Sequence, residues 1–222
     1  MPDTLLLVPT LPEQALLAPL LAARLAAPPP LELCGFGPVA AAARTAELLA
    51  RRAPERVVLC GIAGGLDERV DVGAAYRFDQ VACHGIGVGS AAGFVPAGEL
   101  GWQQWPGDPA AATGQPAAGP IGDRIACGSR SGLAAAGLLL TVCAASASAE
   151  DAAQRRALFP EALAEDMEGY GVALACRLRG VSLTIIRGIS NAAGDRNHLR
   201  WRVSEALAAA ADLVRQDLGE PP

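Results

Sequence analysis

Lysine is absent from this chain: every one of its 18 basic residues is arginine. Without an amine side chain there is no P-loop lysine for nucleotide phosphates, no Schiff-base lysine for a pyridoxal group and no lysine-based aldolase. Histidine is scarce as well. His84 and His198 are the whole complement, and both fall in segments that read as surface loops, with no titrating neighbour in sequence to make either catalytic. No G-x-S-x-G elbow and no cluster of metal-ligand spacing is present, so neither a serine-hydrolase triad nor a metal or other cofactor is expected. The six cysteines, Cys34, Cys60, Cys83, Cys127, Cys143 and Cys176, include no CxxC pair. All but Cys176 lie inside or at the end of apolar runs, which predicts small buried hydrophobes in a reducing, cytoplasmic setting rather than disulfides. No uninterrupted apolar run reaches the roughly 20 residues of a membrane span. The first apolar stretch has no basic lead-in and is broken by Pro9, Pro12, Glu13 and Pro19, unlike a secretory signal. The 23 acidic side chains outnumber the arginines, for a net charge of −5. That is the wrong sign for a nucleic-acid partner, and a small molecule is the expected ligand.

What is present is apolar and periodic. The 222 residues are 51% hydrophobic, enough for a core in a single domain over residues 1–222. Leu5 to Val8 reads as a buried strand, and Leu16, Leu17, Leu20, Leu21 and Leu25 follow at helical spacing. Leu31 to Cys34 then runs into Gly35-Phe36-Gly37, with Pro38 opening an Ala-rich helix to Arg52. A third strand, Arg56 to Cys60, is expected to end in a turn at Gly61-Ile62-Ala63-Gly64-Gly65. Further strands are expected over Ala75 to Cys83, Ile121 to Cys127, Leu138 to Ala144, Leu163 to Met167 and Val181 to Ile189, with helices at Glu150 to Leu158, Gly169 to Leu178 and Arg202 to Leu218. The Gly/Pro/Ala-rich passage from His84 to Pro120 reads as a long loop, either a functional cover or mobile. Strands alternating with helices imply a parallel sheet with helices on its faces.

Ligands of such sheets bind past the carboxyl ends of strands. Thr10 to Glu13, Gly35 to Gly37, Gly61 to Gly65, Met167-Glu168 and Ser190-Asn191 all fall there. Gly35 to Ala40 satisfies a dinucleotide fingerprint, with Glu55 about 20 residues on as a ribose acid. It occupies the second strand-helix unit, however, and Glu55 precedes its strand, so a tight turn is the simpler reading and a nicotinamide-dependent reductase the remote one. The Gly61 to Gly65 turn brings backbone N–H groups of Ala63 and Gly64 toward an oxygen-rich ligand. Glu168 opens a helix, whose N-terminus would keep its carboxylate ionised to accept from vicinal hydroxyls; helix capping is the plain alternative. Glu13 admits the same plain reading as a first-turn acid, and Asn191 that of an Asx turn.

Together, Pro9-Thr10-Leu11-Pro12-Glu13, Gly35 to Ala40, Gly61 to Leu66 and Met167-Glu168-Gly169-Tyr170-Gly171 resemble the nucleoside phosphorylase and nucleosidase superfamily along nearly the whole chain. Within it, Arg187-Gly188-Ile189-Ser190-Asn191 with Gly194, Arg196 and Trp201, and Gly93-Phe94-Val95-Pro96 with Glu99-Leu100-Gly101, look most like the futalosine hydrolase family of the menaquinone pathway. The resemblance implies a three-layer α/β/α sandwich with a mixed, largely parallel central sheet, acting on a purine nucleoside as a homo-oligomer, with a dimer favoured. It implies that Glu13 activates water against an oxocarbenium-like transition state, and that Met167 and Glu168 hold the ribose. The methylthioadenosine/adenosylhomocysteine nucleosidases carry aspartate where this chain has Asn191. An asparagine cannot supply a proton but can donate to O6 or N7, which points to a 6-oxopurine leaving group and leaves Asp195 or a water as the proton source. Inosine or methylthioadenosine remain alternative substrates. A carboxylate at Glu13 and the lack of arginine in Gly61 to Gly65 favour hydrolysis over phosphorolysis. A benzoate on the substrate would need an arginine, Arg196 or Arg200, with Phe94 stacked on its ring.

Overall fold

Three parallel strands start the sheet. β1 (Thr4–Val8) lies between β2 (Leu31–Leu33) and β3 (Arg56–Gly65), joined through α1 (Leu11–Ala22) and α2 (Pro38–Arg52). The computed structural model describes residues 3–90, 93–107, 118–128 and 134–219. Next come β4 (Ala75–Phe78), β5 (Gln80–His84), a ribbon of β6 (Gly87–Val88) and β7 (Val95–Pro96), and β8 (Arg124–Ala126). The chain ends with β9 (Leu138–Val142), α3 (Ala149–Leu158), β10 (Ala162–Asp166), α4 (Gly169–Arg179), β11 (Ser182–Ala192) and α5 (Val203–Asp217). β11 runs parallel to β3 along its whole length, and β9 runs parallel between β5 and β10. Antiparallel β4, β8 and the β10–β3 pairing make the sheet, nine-stranded among the described residues, mixed.

The layers follow from the period-two alternation of side chains along each strand. Leu6, Val8, Val58, Cys60 and Ile186 meet Leu17 and Leu21 of α1 and Ala210 and Val214 of α5. Their neighbours Leu5, Leu7, Val57, Leu59 and Ile185 face the other way, onto Ala41 and Leu48 of α2 and Val172 and Cys176 of α4. Truncating a leucine of either layer to alanine costs about 2–5 kcal/mol. Close approach of α2 to α4 depends on Gly171, where a Cβ would lie 2.2 Å from the Pro38 carbonyl oxygen. The three-layer arrangement and largely parallel sheet match the sequence expectation. Among the described residues no helix is long and apolar enough to cross a membrane.

Several local expectations are corrected. Gly61 to Gly65 is the second half of β3 and not a turn, because β11 and, at Gly64 and Gly65, β10 supply ladder partners. Ser190 and Asn191 likewise belong to β11, so there is no Asx turn at Asn191. The Ala75 to Cys83 strand breaks at Asp79, its halves pairing with different strands, β11 and β9. Of Ile121 to Cys127 only Arg124–Ala126 is strand, with Ile121 in an isolated bridge to Trp105. The passage from His84 to Pro120 contains β6 and β7, while residues 91–92 and 108–117 of it lie outside the described residues. All six thiols are free, and Cys176 is buried on α4, but Cys143, expected to be buried, is exposed just past β9.

Candidate active site

The ends of β1, β3, β10 and β11 surround a cavity of about 510 Å³. Glu13, Ala63, Gly64, Met167, Glu168, Asn191 and Arg196 all line it, so most of the residues singled out from sequence converge there. Glu13 stands in the first turn of α1, capped by Thr10. Its Oε2 accepts the Thr10 hydroxyl at 2.5 Å and its Oε1 the Ile62 N–H at 2.9 Å. The plain helix-start role and the cavity-facing one therefore coexist in one side chain.

Beneath the cavity lies a charge cluster with Arg187 at its centre. This arginine is fully buried in β11. Its Nε and Nη2 donate to Asp166 Oδ2 at 3.1 and 2.6 Å, and Nη2 also reaches Glu168 Oε2 at 3.3 Å. Burial works against its charge, but Asp166, Glu168 and Glu13 more than offset that and hold its pKa above the ordinary arginine value. Asp166 Oδ1 accepts the Thr141 hydroxyl at 2.6 Å, and the Gly169 N–H joins Arg187 on Oδ2 at 2.8 Å. Gly61 makes room for the cluster: a Cβ there would sit 2.4 Å from Arg187 Nη1 and 2.8 Å from Glu13 Oε1.

Glu168 makes no side-chain cap to α4, which removes the capping reading. Its Oε1 instead accepts the Gly37 N–H at 3.0 Å. That bond occupies the backbone donor a dinucleotide pyrophosphate would need, and Glu55 stands at the opposite end of β3. The expectation of a readily ionised carboxylate is also corrected. Burial pushes the Glu168 pKa up to about 7, with Arg187 and the Gly37 N–H pulling it down and Asp166 and Glu13 adding to the rise.

Asn191 is pinned by three neighbours. Its Nδ2 donates to the Ala192 and Asp195 carbonyls at 2.8 and 3.4 Å, and its Oδ1 accepts the Ser190 hydroxyl at 2.7 Å. Asp195 is not in the cavity lining, and hydrogen bonds from the Asn197 N–H and from Arg200 hold its carboxyl below the usual range, which makes it a poor proton source. That pairing also occupies Arg200, whereas Arg196 lines the cavity with its guanidinium 5.3 Å from the Trp201 ring centroid. Phe94 is corrected: it is buried edge-on against His84 at 4.7 Å, away from the lining. The aromatic side chains of the lining are Phe36 and Trp201, joined by His198, whose ring centroid is 4.3 Å from that of Trp201. His84, expected at the surface, is half-buried between Phe94 and Phe159.

Sequence reasoning gave no role to Arg187, which it met only as part of a motif, and none to Glu165 or Ser146. The last two line the cavity, with the buried Glu165 accepting both the N–H and the hydroxyl of Ser146 at 2.8 Å and pairing with Arg155. The available signal was charge inside an apolar strand: Arg187 within Ile185 to Ile189, and Glu165-Asp166 after Leu163-Ala164.

This sheet is that of a known class. The chain belongs to the phosphorylase superfamily, which it matches over residues 25–217. It is 36% identical over 185 residues to the futalosine hydrolase of Streptomyces coelicolor, covering 81% of this chain and 74% of that one. It is 32% identical over 200 residues to the 5'-methylthioadenosine/S-adenosylhomocysteine nucleosidase of Colwellia psychrerythraea, covering 84% and 76%. In fold it is similar to the methylthioadenosine/adenosylhomocysteine nucleosidase of Neisseria meningitidis solved in complex with methylthio-immucillin-A, with a TM-score of 0.73 at 23% identity over 97% of this chain and 98% of that one.

Proposed function

We propose that this N-glycosyl hydrolase cleaves the N-glycosidic bond of futalosine, releasing hypoxanthine and dehypoxanthine futalosine, as a step of menaquinone biosynthesis. The observation that carries the reading is the pair of buried carboxylates, Glu13 and Glu168, set around one guanidinium at the floor of a cavity that Asn191 also lines. Glu13 orients and deprotonates the attacking water, a role that contributes about 10²–10⁴-fold. The Ile62 N–H and Thr10 hydroxyl hold its carboxylate in place. Glu168 accepts from the ribose hydroxyls beside Met167, fixing the sugar while the bond to the base stretches. Asn191 donates to the 6-oxopurine through the N–H now shared with the Asp195 carbonyl. With Asp195 held ionised, a water delivers the leaving-group proton. Arg196, which lines the cavity beside Trp201, takes the substrate's benzoate.

Similarity to the Streptomyces coelicolor enzyme supports futalosine as substrate. The Colwellia relative favours a second reading, a nucleosidase for methylthioadenosine or adenosylhomocysteine; inosine is a third candidate. Six free thiols suit a cytoplasmic location. Exposed Leu16 and Phe36 of the cavity lining, with exposed Leu11 on α1 and Val39 on α2, suit a homodimer.

The deciding measurement is base release in phosphate-free buffer from futalosine, inosine and methylthioadenosine in parallel. Release of hypoxanthine from futalosine is expected. Dependence on phosphate, or release of adenine alone, overturns the assignment.

A further inference from the structure

His84 is a titratable side chain for which the proposed reaction has no use. It ends β5, beside Val142 of β9 in the parallel register. By alternation its ring lies on the same face of the sheet as Ala82, while Cys83 points to the other. There it is held between two phenylalanines, its ring centroid 4.7 Å from that of Phe94 and 5.6 Å from that of Phe159, both edge-on. Phe159 caps α3 and Phe94 leads into β7. A Cβ at Gly87 would lie 3.0 Å from the Phe94 ring, so that ring fills the space beside β6. One imidazole thus joins two separate elements to the end of β5.

The His84 Nδ1 is buried and has no hydrogen-bond partner among the described residues. A neutral imidazole can leave one nitrogen as a bare acceptor, but an imidazolium must donate from both. Charging this ring would bury an N–H with nothing to receive it. Phe94 and Phe159 bring no charge; the charged groups acting on the ring are Arg155 of α3 and Glu165 of β10. Burial foremost, then Arg155, hold its pKa below the ordinary histidine value, with Glu165 pulling the other way.

We propose that His84 is an acid-sensitive clasp, which when neutral holds residues 94–105 and α3 against the sheet and when protonated lets both go. Arg155 lies one turn before Phe159 on α3, donates to the Ser146 hydroxyl at 2.7 Å and pairs with Glu165 in the cavity wall. Release of α3 therefore loosens that wall, whichever nucleoside the cavity takes. The clasped state excludes a proton that the released ring accepts with the ordinary histidine pKa of 6.5, so clasping weakens as pH falls below that value. One pH unit below it, the clasped-to-released ratio is lower by about tenfold.

The test is amide hydrogen exchange of the full chain near about pH 7.5 and about pH 5.5, corrected for the intrinsic pH dependence of exchange. The reporters are the Ala97, Trp102 and Trp105 amides, which donate to the carbonyls of Ile86, Ala97 and Ile121, and the Phe159 amide at the end of α3. Acid is expected to cut their protection by about tenfold while the amides of β1 and β3 keep theirs. His84→Phe, which fills the same space without a charge, is expected to show no such pH dependence; should it fail to fold, His84→Gln, also neutral, serves the same comparison. Unchanged protection in the native protein overturns the proposal, and so does a loss shared equally by β1 and β3, since that is global unfolding. A neutral variant that still loses protection in acid overturns it as well, because another group then titrates.

Discussion

Replacing Arg187 with methionine is expected to destabilise the fold severely and in a pH-dependent way. The substitution keeps the volume apolar and removes the guanidinium that Asp166 and Glu168 share, with Glu13 beside it. Breaking a buried pair from one side costs about 3–5 kcal/mol, because the remaining charge is left desolvated. Against a total stability of about 5–15 kcal/mol that is a large fraction. The pH sign follows from the carboxylates. Burial already raises the Glu168 pKa to about 7, with Arg187 restraining the rise. Without Arg187 it climbs further, so the folded variant retains protons that the unfolded chain releases. Stability then falls as pH rises through the window between the ordinary glutamate value and the raised one. The deficit relative to the native protein should accordingly be larger near about pH 8 than near about pH 5. Urea unfolding at both pH values, followed by circular dichroism and tryptophan fluorescence, measures it. A deficit under about 1 kcal/mol, or one identical at the two pH values, would refute the view of Arg187 as the counter-charge of the site.

Glu168 predicts a pH effect in the active enzyme: KM should fall as pH rises through about 7, where the carboxylate gains its charge, and Glu168→Gln should raise KM and flatten the profile. Glu13→Gln should lower kcat by about 10²–10⁴-fold while leaving hypoxanthine affinity unchanged; a loss of base binding instead would place Glu13 in base recognition. Gly61→Ala puts a Cβ 2.4 Å from Arg187 Nη1 and should cost about 1–3 kcal/mol together with most of the activity, read by thermal unfolding and initial rates. Thiol titration of the folded protein should label Cys143 rapidly, while Cys34, Cys60, Cys83 and Cys127, buried and pushed up to about 12, should react only in denaturant.

The helices were readable because their signals are local. Pro38 after Gly37 opens α2, and Leu17 and Leu21 face one way on α1. The glycine-rich half of β3 was not readable as strand, since its hydrogen bonds come from β10 and β11, about a hundred residues away in sequence. Glu13, Glu168 and Asn191, which line the cavity, stand out in the sequence because each lies near the end of a strand or the start of a helix, where chemistry is sought. Arg187 and Glu165 lie inside strands, and their meaning depends on partners that only the folded sheet supplies. Phe94 was misassigned for the opposite reason. An aromatic side chain in a loop invites a ligand role, yet here it is taken up by His84.

On the proposed reading, the same electrostatics that make the site difficult to fold also choose its chemistry. Glu13, Asp166 and Glu168 surround a single arginine, so the sugar end of the cavity is net negative once Glu168 ionises. Glycosidic cleavage builds positive charge on the ribose, and fixed negative groups in a water-poor site stabilise that charge more than the neutral ground state. A phosphate nucleophile would enter the same field as an anion and be repelled, in surroundings where Coulomb terms are several-fold stronger than in bulk water. A neutral water meets no such barrier and finds a carboxylate to accept its proton. One charge arrangement thus favours the oxocarbenium-like transition state and disfavours phosphorolysis, and exchanging Glu13 for a cation would be expected to reverse the second preference only by sacrificing the first.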